Sequence, residues 1–137
     1  MTGTRLAGKV AIVSGAGSVG PGWGNGRATA VRFAADGALV VAADRDEDRL
    51  EETVARARSV GGTDPTHCVC DATNSAGVAA LVASCVERFG RLDILVNNVG
   101  GSAPGGPVEM SEEVWDAQVD FNLKSVFVRK RKHVVLG

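Results

Sequence analysis

The chain has 137 residues, 45% hydrophobic and 23% charged, with 15 basic against 16 acidic side chains and a formal net charge of -1. Such a length suits a single domain with its own core, and the composition excludes disorder as the default. The near-balanced charge excludes an overall field that would recruit nucleic acid or anionic lipid, and no apolar run reaches the ~18 residues that span a bilayer.

In chain order, short apolar runs alternate with helix-like stretches. Val10-Ala11-Ile12-Val13 reads as a first strand, ending in Ser14-Gly15. Asn25 to Ala35 has helical spacing, with Ala28, Val31 and Ala35 on the inner side, Arg27 and Arg32 elsewhere, and Gly37 closing it. Ala38 to Ala43 is a second strand, and its continuous apolar character predicts cover on both faces, as in a parallel sheet. Asp46 to Val60 reads as an amphipathic helix with Leu50, Val54 and Ala57 inward. Thr66 to Cys70 is a third strand, and Asn74 or Ser75 caps a helix running to Phe89. Leu92 to Val96 is a fourth strand, followed by a Gly/Pro-rich loop from Gly100 to Pro107 and a last helix starting at Ser111-Glu112-Glu113. This alternation predicts βαβ crossovers in an α/β domain spanning the whole chain.

Cys68, Cys70 and Cys85 are odd in number and follow no secretory signal, so a reducing, cytoplasmic setting is expected. Cys68 and Cys70 have no second ligand pair near them, so no metal site is expected there.

Glycine is the compositional outlier at 18 residues, and six of these fall between Gly15 and Gly26, after the first strand and before the first helix. A dinucleotide site needs glycines there, for a tight turn and for close approach of backbone N–H groups to a pyrophosphate at the helix N-terminus. Gly15-Ala16-Gly17-Ser18-Val19-Gly20 satisfies G-x-G-x-x-G literally. Pro21-Gly22-Trp23-Gly24 then delays the helix to about Asn25, which makes Gly24 and Gly26 the better candidates to face phosphate. Asp44 ends the second strand 18 positions beyond Gly26, close to the ~20 expected of a ribose-binding carboxylate. A carboxylate there favours NAD over NADP, and the adjacent Arg45 is the countersignal, since a guanidinium accommodates a 2′-phosphate. Asp44 as a cap for the following helix is the simpler alternative.

These residues resemble the short-chain dehydrogenases/reductases. The family's T-G-x-x-x-G-x-G is similar to Ser14-Gly15 and Gly24-Asn25-Gly26, and its N-N-A-G to Asn97-Asn98-Val99-Gly100. Its Asp motif after the third strand resembles Asp71-Ala72-Thr73, and its helix asparagine resembles Asn122. The resemblance implies a Rossmann-type doubly wound sheet with strand order 3-2-1-4. It implies an NAD(P) site using Gly15, Ser18, Gly24, Asn25, Gly26, Asp44, Arg45, Asp71, Ala72, Asn97 and Gly100. Asp71 would contact adenine, and Asn97 would sit below the cofactor and steady the sheet. Turn formation by Asp71, and bonding of Asn97 and Asn98 to local backbone, are the plainer alternatives.

Eight residues separate Gly15 from Gly24, against three in the family pattern. The family's catalytic serine and Y-x-x-x-K pair have no counterpart, because the chain contains no tyrosine, and of the tetrad only Asn122 is matched. The expectation is therefore an incomplete, truncated cofactor-binding half that binds NAD(H) and lacks hydride transfer. The alternative is a non-enzymatic module that pairs with a relative. An uncovered fourth strand and the last helix would favour self-association. The basic run Arg129 to His133 suits a solvated helix end better than a nucleic-acid contact.

Overall fold

The computed structural model describes residues 3–18, 22–98 and 110–119. In order they form β1 (Val10–Ser14), α1 (Asn25–Ala35), β2 (Leu39–Asp44), α2 (Glu47–Ser59), β3 (Thr66–Val69), α3 (Ser75–Phe89), β4 (Ile94–Val96) and α4 (Glu112–Val119). All strand pairs are parallel and the sheet order is β3-β2-β1-β4, as the motifs imply.

The continuous apolar runs are explained by two cores, one on each face of the sheet. Val13, Val40 and Ala42 pack with Ala30, Val31, Ala34, Leu50 and Ala57 of α1 and α2. The alternate residues Val10, Ile12, Val41 and Ala43 pack on the other face with Val78, Leu81, Val82 and Cys85 of α3. A strand residue has only two directions to point, so both directions must be apolar when helices cover both faces.

Local chemistry sets the helix ends. The Asp46 carboxylate accepts from the Arg49 N–H, and Asn74 Oδ1 accepts from the Gly77 N–H at 2.8 Å, so α2 and α3 carry side-chain caps. Ser111 does the same for α4, accepting from the Val114 N–H. α3 stops at Gly90 in the left-handed region, φ +78°.

β2 and β3 shift by one residue from expectation, to Leu39–Asp44 and Thr66–Val69, and two further differences have clear causes. β4 begins at Ile94, because Leu92 and Asp93 belong to the turn that attaches it: Asp93 accepts from the Val10 N–H through its carboxylate and donates its own N–H to the Val10 carbonyl. The larger correction concerns α1. Ala28 is exposed, and the buried stripe is Gly26, Arg27, Ala30, Val31, Ala34 and Ala35. An alanine-rich helix has small apolar residues on several sides, so its apolar spacing alone leaves the inner face ambiguous, and Arg27 turns inward because buried acceptors await it.

Candidate functional site: the glycine turn at the β1–β4 crevice

The strand order reverses between β1 and β4, and in open parallel sheets ligands bind in the crevice outside the strand C-termini at that point. Here the crevice is clasped shut at its base. Ser14 Oγ donates to the Val96 carbonyl at 2.8 Å and accepts from the Asn98 N–H at 3.1 Å. The Asn98 side-chain amide reaches the Gly15 carbonyl at 3.4 Å. Asn98 thus bonds backbone 83 positions away. Asn97 follows β4 directly and is exposed.

Gly15 has φ +65°, and a Cβ there would lie 2.6 Å from the Asn98 carbonyl oxygen. A Cβ on Gly26 would meet the Gly15 carbonyl oxygen at 2.0 Å, so glycine at 26 is demanded by the contact between α1 and the turn. Gly24 differs. Its φ of -99° suits any residue, and the atoms nearest an added Cβ are Ser18 Oγ, Cβ and Cα, at 3.2, 3.5 and 3.6 Å. Gly24 is the N-cap of α1, and among the described residues no side chain caps that helix. The first-turn N–H groups of Asn25, Gly26 and Arg27 have no intrahelical partners in such a position, and they carry the positive end of the helix dipole. Ser18, held at φ +62°, places its hydroxyl beside this terminus.

The long turn is held from beneath by Arg27, which is fully buried. Its Nη1 donates to the Gly22 carbonyl and its Nη2 to the Gly17 carbonyl, both at 2.5 Å. Nη2 also reaches the Arg49 carbonyl at 3.1 Å and Glu52 at 3.3 Å, while Nε donates to Thr53 Oγ1 at 2.9 Å. Thr53 Oγ1 in turn donates to the Ala16 carbonyl at 2.6 Å. One guanidinium therefore ties both limbs of the turn to α2, using its planar fork of donors. Outside, the exposed Trp23 lies over Arg56 at 4.7 Å, and Arg56 pairs with Glu52 at 2.8 Å. Arg56 and the buried Arg27 hold the Glu52 carboxyl below its ordinary range, the Arg56 hydrogen bond being the largest cause. Neither Arg27 nor Thr53 is singled out by the sequence reading. The available signal was spacing, since Arg27, Ala30, Val31 and Ala34 also fall at helical intervals.

At the end of β2, Asp44 Oδ2 accepts from the Gly17 N–H at 3.0 Å, and Oδ1 accepts from the N–H groups of Arg45 and Asp46 at 2.7 and 3.3 Å. Asp46, not Asp44, caps α2. An ionised carboxylate offers about four acceptor positions, so Asp44 is oriented by three backbone donors and keeps capacity for a further one. Residues Asp44 to Arg49 line an open depression of about 540 Å³. The next strand end is adjacent, joined by the Cys70 N–H to the Asp44 carbonyl at 2.8 Å. There Asp71 Oδ1 accepts from the Thr73 N–H and hydroxyl at 2.9 and 2.7 Å. These bonds, with a smaller contribution from the Arg45 charge, hold the Asp71 carboxyl below the usual aspartate range. Ala72 is buried beneath this turn.

Gly15, Ser18, Asp44, Arg45, Asp71, Ala72 and Asn97 therefore stand at or shortly after the C-terminal ends of the four strands, and Gly24, Asn25 and Gly26 at the start of α1. Gly100 and Asn122 lie outside the described residues.

A parallel sheet ordered 3-2-1-4, covered by helices on both faces and carrying a glycine turn at its strand-order reversal, defines a Rossmann-type nucleotide-binding domain. The short chain dehydrogenase family matches residues 9–134, and the chain belongs to this family of oxidoreductases, whose members generally bind NAD(P). It is 44% identical over 122 residues to (5R,7aS)-5-hydroxy-7a-methyl-1-oxo-2,3,5,6,7,7a-hexahydro-1H-indene-carboxyl-CoA reductase of Mycobacterium tuberculosis, covering 89% of this chain and 45% of that protein. It is 40% identical over 124 residues to the 3-oxoacyl-(acyl-carrier-protein) reductase FabG of Thermotoga maritima, covering 90% and 48% respectively. A solved short-chain dehydrogenase/reductase structure from Burkholderia xenovorans superposes with a TM-score of 0.92 at 52% identity, over 96% of this chain and 52% of that one. The chain thus spans about half the length of the curated relatives it matches. No helix among the described residues is long and apolar enough to cross a membrane.

Proposed function

We propose that the chain binds a nicotinamide dinucleotide, NAD(H) ahead of NADP(H), and does not itself carry out hydride transfer. The observation that carries this reading is the start of α1 at Gly24 without a side-chain cap, beside the β1–β4 crevice. The N-terminal N–H groups of α1, with Ser18 and Asn25, would hold the pyrophosphate; Gly15 and Gly26 let the turn and helix close on each other. Asp44 would accept from the adenosine ribose hydroxyls with its remaining capacity, and its charge would repel a 2′-phosphate. Asp71 and Ala72 would border the adenine, and Asn97 and Gly100 the nicotinamide end. Arg45 is the group that would favour NADP, and the nearby Asp71 carboxylate offsets its charge. The dinucleotide supplies hydride chemistry when bound. What this chain's residues supply is binding and orientation, because the proton-donating tyrosine the family uses is absent from the sequence and only Asn122 matches its tetrad.

A second reading is a pairing module. It is favoured by β4, whose residues Ile94 to Val96 are only half-buried and hydrogen-bond to β1 alone among the described strands, and by Trp115 on α4, which is 60% exposed. Such a surface would pair with a second copy or a longer relative in a setting expected to be cytoplasmic.

Titrating NADH and NADPH against the chain while following nucleotide fluorescence tests the first reading. Saturable binding with NADH tighter is the expected outcome. No saturation by either overturns it, NADPH binding more tightly removes the role of Asp44, and steady turnover of an alcohol or ketone removes the claim of catalytic incompleteness.

A further inference from the structure

Among the described residues, the proposed function leaves one donor cluster unused. Glu47 and Glu51 stand one turn apart on α2, and His67 projects from β3, the edge strand beneath that helix. One ligand atom from each of the three lies within 4.8 Å of the others. We propose that these residues form a binding site for a divalent transition-metal ion of the zinc type.

Three observations lead there. The first is distance. His67 Nε2 stands 3.6 Å from Glu47 Oε1, too far for a hydrogen bond. It is close to the ~3.4 Å edge of a tetrahedron whose metal–ligand bonds are about 2.1 Å. The third donor belongs to the exposed Glu51, within 4.8 Å of the other two. The second is charge. Carboxylates at i and i+4 repel on a helix, and a basic neighbour usually offsets this. The arginines of α2 are committed elsewhere: Arg49 to Asp46, Arg56 to Glu52 and Arg58 to Asp64. An imidazole offsets the pair only when protonated, whereas a divalent ion does so while the imidazole is neutral. The third is donor type. One imidazole nitrogen and two carboxylate oxygens suit Zn²⁺, Ni²⁺ or Cu²⁺, while Mg²⁺ and Ca²⁺ prefer oxygen alone. With three protein ligands, the remaining position is open to water.

The cysteine spacing, which pointed away from metal, misses this site because its ligands lie 4 and 16 positions apart on two different elements. Cys68 and Cys70 pack toward α3 on the opposite face of the sheet. An ion held here would fasten the first turn of α2 to the sheet edge, independently of any dinucleotide.

The test is a calorimetric titration of the untagged chain with zinc chloride in a non-chelating buffer at neutral pH. A single saturable ion is expected. His67→Ala and Glu51→Gln should each weaken binding by about tenfold or more, since loss of even an outer partner of a ligand costs 10–100-fold. A Cys68→Ser/Cys70→Ser chain should bind as the parent does, and magnesium should not compete. Glu51 is exposed, so its substitution keeps the fold, which a thermal melt verifies. Absence of saturable binding, unchanged affinity in both ligand variants, loss of binding in the cysteine variant, or equal affinity for magnesium would each overturn the site.

Discussion

The turns leaving β1 and β2 solve the same problem in opposite ways. Both connect the C-terminal end of a parallel strand to a helix on the same face of the sheet. The β2–α2 turn is short and self-sufficient: Asp46 caps the helix, and Glu47 and Asp48 place negative charge on its first turn. The β1–α1 turn is long and glycine-rich, and it starts a helix with neither a side-chain cap nor an acidic residue in the first turn. One helix dipole is answered by the chain's own carboxylates, and the other, in the proposed function, would be answered by an anion from outside. In the described parts of the long turn, the Gly17 and Gly22 carbonyls point inward to the buried Arg27. The anion site proposed here would thus rest on what the helix start omits and on what lies beneath it.

The comparison is broken most severely by Arg27→Met. Removing the cation takes the guanidinium donors from the buried Gly17 carbonyl and the part-buried Gly22 carbonyl, and the cost should be about 3–5 kcal/mol of unfolding free energy, measured by urea denaturation. A chain as stable as the parent would show that the turn does not depend on its guanidinium.

Gly24→Asp tests the open helix start directly. The backbone at 24 admits an aspartate, so the fold should gain a few tenths of a kcal/mol from the added cap. NADH binding should weaken by about tenfold or more, through like-charge repulsion at the phosphate. The opposed signs separate a ligand role from a structural one. Unchanged NADH affinity would move the pyrophosphate away from α1.

The closed helix start is probed by Asp46→Ala, which should cost about 1 kcal/mol in a thermal or urea melt and leave NADH affinity near that of the parent. The smallest effect is electrostatic. Because Thr73 lowers the Asp71 carboxyl in the folded state, the stability it contributes is complete above the unfolded aspartate value and lost as pH falls through the lowered one. Thr73→Val, followed by NMR titration, should raise the Asp71 pKa and remove that part of the acid-range pH dependence. An unmoved titration would place the cause elsewhere.

Much of this was legible in the chain. The apolar runs and their caps located β1, α2 and α3 within about a residue, because each signal lies inside a few consecutive positions. Asn74 and Gly90 act on neighbours, so their meaning can be read without the fold. Arg27 could not be read that way. An arginine on an alanine-rich helix looks solvated until the carbonyls that receive it are known, and those belong to residues 17, 22 and 49. Asn98 is similar, since its side chain acts on Gly15 across the crevice.

By itself the sequence determined the alternation of strands and helices, the family, the position of the glycine turn and the absence of a tyrosine, all of which depend on residue type and local spacing. Only the tertiary structure decided which face of α1 is buried, that Gly26 is required by packing against Gly15, that Asp44 is already held by three backbone donors, and that His67 meets Glu47 and Glu51. These are contacts between residues far apart in the chain, and they exist only once the parallel crossovers bring the strand ends together.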